Sequence, residues 1–75
     1  MTLTPREVEV LTLVANGVLQ QSAAKRMRIS HRTIMFHLQN ARCKLRAKNT
    51  THAAAVAIRA GLITIPVFSD SFENT

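Results

Sequence analysis

Apolar residues recur along most of this chain at helical rather than alternating spacing. Ile34, Leu38, Ala41 and Leu45 stand at i, i+4, i+7 and i+11, which places all four on one helix face. Arg32, Met35, Phe36, Gln39, Cys43 and Arg46 fall on the other side, and no carboxylate accompanies them. Ser30 stands just before the run, where its hydroxyl can cap the first turn. The spacing predicts a helix from His31 to Leu45, about 22 Å long at 1.5 Å per residue.

The same periodicity predicts three further helices. Thr4-Pro5-Arg6-Glu7 reads as a helix start, with Thr4 as cap, Pro5 in the first turn and Glu7 closing a capping box. Glu7, Val10, Leu11, Val14 and Val18 share a face, the helix runs to about Ala15, and Asn16-Gly17 stops it. A second helix is expected from about Gln20 to Met27, with Ala23, Ala24 and Met27 inward. Arg28-Ile29 is then a short link, so the second and third helices form a helix-turn-helix. A polar break over Arg46–Thr50 precedes a fourth helix, expected from His52 to Ala60, capped by Thr50 or Thr51 and ended by Gly61. Past Ile63 the pattern loses its period. Residues 64–75 are expected to form a flexible tail, and residues 1–63 a single all-α domain of four helices.

Seventy-five residues allow one small domain with a thin core. With three Phe and no Trp or Tyr, that core must be aliphatic and alanine-rich. The placement of charge narrows the picture more than its net value of +6. No acidic residue lies between Glu9 and Asp70, while eight of the ten basic residues fall between Lys25 and Lys48. A one-sign surface repels itself unless a polyanion supplies the counter-charge. Nucleic acid is the leading candidate and an anionic membrane surface the second. The apolar stripe on every helix argues against the membrane.

The lone Cys43 cannot close an internal disulfide, and no Cys/His cluster has zinc spacing. No apolar run is long enough to span a bilayer, and no signal peptide is evident. A cytoplasmic protein is therefore expected. No nucleophile–base pair, metal cluster or phosphate-binding loop stands out, so no enzyme, metal or cofactor is expected.

Each candidate has a plain reading beside the functional one. Arg32, Arg42, Lys44, Arg46 and Lys48 are either a solvated face or contacts to phosphate, and the missing acids favour phosphate. Phe36 either packs on a neighbouring loop or meets a thymine methyl group. Gln39, one turn after Met35, suits adenine bidentately, and Met35 is a flexible groove filler. His37, at the edge of the buried stripe, is read as packed, His31 and His52 as surface residues, and Cys43 as incidental. On the fourth helix Ala53, Val56, Ala57 and Ala60 form one apolar set, and Ala55, Ile58 and Leu62 another. A small domain buries one set, and the second is left for a partner or stays as a plain alanine-rich surface.

Leu3-Thr4-Pro5-Arg6-Glu7-x-Glu9-Val10-Leu11, Ala15-x-Gly17, Ile29-Ser30-x-x-Thr33-Ile34-x-x-His37, Lys44-Leu45, Ala53, Ala57 and Gly61-Leu62-Ile63 together resemble the LuxR-type helix-turn-helix. That is the C-terminal DNA-binding domain of many bacterial quorum-sensing receptors and response regulators. The resemblance covers Leu3 to Ile63. It implies four helices, the third in the major groove, and transcription regulation as a dimer on double-stranded DNA. It implies base contacts from Met35, Phe36 and Gln39, and phosphate contacts from Thr33 and polar neighbours such as Ser30. It also implies a homodimer joined through the fourth helix. A ligand-sensing or phosphoacceptor domain ahead of Met1 is compatible with it. The chain departs from the family at Leu19, where a Ser or Thr cap is usual, at Ser22-Ala23, where Glu-Ile is usual, and at Met35, often basic. A stand-alone module that heterodimerises with a related regulator is the competing expectation.

Overall fold

The computed structural model describes residues 2–64. Four helices follow in order, α1 (Pro5–Ala15), α2 (Gln20–Met27), α3 (His31–Lys44) and α4 (Thr50–Arg59), and among the described residues there is no strand. The all-α, four-helix expectation holds. Beyond Thr64 the expected tail lies outside the described residues.

Local chemistry accounts for the starts. The Thr4 hydroxyl accepts from the Glu7 N–H at 3.2 Å, and the Glu7 carboxylate accepts from the Thr4 N–H at 2.9 Å, completing the capping box. Ser30 accepts from the Thr33 N–H at 3.1 Å and starts α3. The start of α4 differs from expectation. Asn49, extended at φ −159° and ψ 179°, accepts from the His52 N–H at 2.8 Å, so the helix begins at Thr50. Neither threonine is the cap, because the chain leaves extended geometry one residue earlier. Leu19 caps α2 without a side-chain bond, yet the helix forms from Gln20 onward.

All four helices end in the same closure. The backbone turns left-handed and the next N–H reaches back to a carbonyl of the last turn: Val18 to Leu13, Ile29 to Ala24, Ala47 to Arg42 and Leu62 to Ala57. The turning residue is Gly17 or Gly61 after α1 and α4. After α2 and α3 it is an arginine, Arg28 at φ 57° and Arg46 at φ 55°. These two turns bracket α3.

α1 and α3 pack on each other, and each packs also on α2 and α4. Leu11, Ile34 and Val10 are the largest fully buried side chains. Around them lie Ala23, Ala24 and Met27 from α2, Leu38 and Ala41 from α3, and Ala53, Ala54 and Ala57 from α4. Alanine lets the helix axes approach closely, so a chain this short still encloses a close-packed centre. On α4, Ala54 joins the buried face and Ala60 is exposed, so the inward stripe is rotated from the expected set. Leu45 and Leu62 pack at the margin of the core.

Candidate nucleic-acid interface

α3 is anchored along its inner face by Ile34, Leu38 and Ala41. That fixes which side chains point outward. Arg32, Met35, Phe36, Gln39, Cys43 and Arg46 are all exposed, as the spacing predicts. Phe36 keeps 61% of its surface in solvent and Met35 54%, so no loop covers either of them. The alternative of a loop-packed Phe36 is therefore set aside. Its ring instead meets the His37 imidazole edge-on, with centroids 5.8 Å apart and planes at 63°.

Met35 and Gln39 form a ridge between two shallow depressions. One is lined by Arg32, Phe36 and Asn40 together with the ridge. The other is lined by Gln20, Leu38, Arg42 and Thr50 with the same ridge. Gln20, at the start of α2, is joined to His31, at the start of α3, by a side-chain bond of 3.1 Å. This bond ties the two helix N-termini together across the turn.

The charged candidates divide into two groups. Arg32 and Lys48 are exposed, as is Arg46, which the left-handed turn carries past the end of α3. Ser30 and Thr33 lie together at the α3 start, their hydroxyls 2.9 Å apart. Arg42 and Lys44 are engaged within the fold. Arg42 donates to the Ala47 carbonyl at 3.1 Å and so ties the closing turn to its own helix. Lys44 donates to Oε1 of Glu7 at 2.8 Å. Spacing gave no sign of this pair, because its partners stand 37 residues apart. Its effect is to withdraw one ammonium from the outer surface and to hold the end of α3 against the start of α1.

The described carboxylates, Glu7 and Glu9, both lie on α1, and Glu9 sits 3.6 Å from Arg6. The outer face of α3 thus combines cations, an amide and two large apolar groups with no negative charge nearby. Such a surface fits a polyanion whose surface also carries hydrogen-bonding and apolar features. Among the described residues no group of three or more His, Cys, Asp or Glu is placed to hold a metal ion, and no helix is long and apolar enough to cross a membrane.

On α4, Ala55 and Ile58 are exposed, Ile58 to 40%. Leu62 is not on that surface to the same degree. It is half-buried, because the closing turn folds it back against the core.

The family model for bacterial regulatory proteins of the luxR family matches residues 1–57. The HTH-type quorum sensing-dependent transcriptional regulator VjbR of Brucella ovis is 42% identical over 64 residues, which cover 85% of this chain and 25% of that protein. The transcriptional activator protein SolR of Ralstonia solanacearum is 43% identical over 61 residues, covering 81% and 26% respectively. A solved structure of the transcription factor GerE superposes with a TM-score of 0.81 at 25% identity, over 85% of this chain and 96% of that one. The chain spans about a quarter of the length of these curated relatives.

Proposed function

The chain belongs to the luxR family of bacterial regulatory proteins, and on that premise we propose that it binds double-stranded DNA sequence-specifically, with α3 in the major groove. The carboxylate-free outer face of α3 carries this reading. Met35, Phe36 and Gln39 meet base edges there. Ser30, Arg32, Thr33, Arg46 and Lys48 meet phosphates and fix the register on the duplex. Arg42 reaches the same backbone only by giving up the Ala47 carbonyl, and Lys44 only by leaving Glu7.

Two copies pair through α4, with Ala55 and Ile58 at the centre of the contact and Leu62 at its margin. Small side chains let the two helices approach closely, and the pair presents two α3 helices to successive major grooves roughly 34 Å apart. The role is transcription regulation in the bacterial cytoplasm. VjbR is named a quorum sensing-dependent transcriptional regulator and SolR a transcriptional activator, and this chain matches about a quarter of each.

Affinity for a duplex, measured against salt, tests the proposal. Each phosphate neutralised releases counterions, so binding must weaken steeply as salt rises. A flat, very weak response at low salt overturns it.

A further inference from the structure

We infer that Phe36 and Met35 make this protein a reader of thymine methyl groups, so that its half-site holds thymine beside the adenine read by Gln39. The inference rests on the DNA reading above and names its specificity. Large apolar side chains are normally buried, yet Phe36 and Met35 stay 61% and 54% exposed on a helix whose inner face is already filled. Both line the depression that also holds Arg32, Gln39 and Asn40. An occupant that is anionic overall and locally apolar fits this lining. In the major groove one base carries an apolar group, the C5-methyl of thymine. The Phe36 ring meets the His37 imidazole edge-on and is otherwise free to seat on a methyl group. Gln39 lies one turn beyond Met35 on the same ridge, within reach of a neighbouring base pair, where its amide matches adenine N6 and N7.

The test uses the whole 75-residue chain. Duplexes selected from a random pool are remade with deoxyuridine at each thymine of the half-site, which deletes the methyl and nothing else. Burial of one methyl is worth about 0.8 kcal/mol, or about fourfold in affinity. The native chain should lose about that factor at one or two positions. Phe36→Ala should lose the discrimination at its position and Phe36→Leu should keep part of it. Both variants should fold, since the ring is exposed. Equal binding to thymine and deoxyuridine duplexes overturns this inference and leaves the DNA reading standing. So does a Phe36→Ala chain that changes oligomeric state without changing discrimination, which would assign the ring to a protein partner. Absence of salt-dependent binding to any duplex overturns the DNA reading and this inference with it.

Discussion

The Lys44 ammonium donates to Oε1 of Glu7 across 2.8 Å, joining the last turn of α3 to the first turn of α1. Glu7 is 3% exposed and the Lys44 side chain 36%. Burial pushes the Glu7 carboxyl up, but the bonds from Lys44 and Thr4 outweigh it and hold the pKa below its ordinary 4.5. A carboxyl lowered on folding adds stability above its unfolded pKa and loses it as the pH falls through the folded value. Glu7→Gln keeps a capping side chain and removes the titration. The stability gap between native chain and variant should be full at neutral pH, shrink below about 4.5 and close in stronger acid. Urea melts across that range check it, and a gap independent of pH would contradict it. Lys44→Met leaves the buried carboxylate short of a donor and should cost about 1–3 kcal/mol at neutral pH.

The phosphate set is separable by salt. Arg32→Ala and Lys48→Ala should each lower the slope of log affinity against log salt by about 1, with similar losses on all sequences. Lys44→Gln should leave the slope unchanged at a temperature where the variant is folded, because its ammonium is held by Glu7. A slope reduced as much by Lys44→Gln as by Arg32→Ala would place Lys44 on the duplex.

Gln39→Ala should relax specificity at one base pair, costing about 1–3 kcal/mol on the preferred site and little on sites changed there. Affinities for every single-base variant of a selected site measure this. A uniform loss across sites would show that Gln39 reads no base.

Ile58 and Leu62 should part company when charged. Ile58→Glu is expected to weaken self-association and leave the monomer melt near the native one. Leu62→Glu is expected to lower the melting temperature, because Leu62 packs on the core. Sedimentation and thermal melts on the same samples decide. An unfolded Ile58→Glu chain would put that residue in the core instead.

The helix caps carry a further contrast. Asn49→Ala should cost about 1 kcal/mol, and Thr51→Ala almost nothing, since only Asn49 accepts from the His52 N–H. Leu19→Ser should stabilise by roughly 0.5–1 kcal/mol, supplying the side-chain cap that α2 lacks. Denaturant midpoints at constant m-value would show both.

What the sequence made legible was local. The Thr4–Glu7 box and the Ser30 cap need only three residues of spacing, and the inner stripe of α3 needs only the helical period. The exposed Phe36 and Met35 followed from that stripe. Three features were not local. The Lys44–Glu7 pair depends on where α3 ends relative to α1. The cap of α4 had three oxygen-bearing candidates in succession, Asn49, Thr50 and Thr51, and the extended backbone at Asn49 decides among them. The buried face of α4 was ambiguous because alanines surround the helix, and only its packing on α1 and α3 selects Ala54 over Ala60.

Among the described residues, half of the buried apolar ones are alanines: Ala23, Ala24, Ala41, Ala47, Ala53, Ala54 and Ala57. A centre built that way has no room for larger side chains, so the inner surface of α3 tolerates little change. Met35, Phe36 and Gln39 contribute almost nothing to that centre and can be exchanged at small folding cost. The same helix, about 21 Å long, therefore holds a mounting that resists change and an outward text open to editing, which a lineage could rewrite without passing through an unstable intermediate.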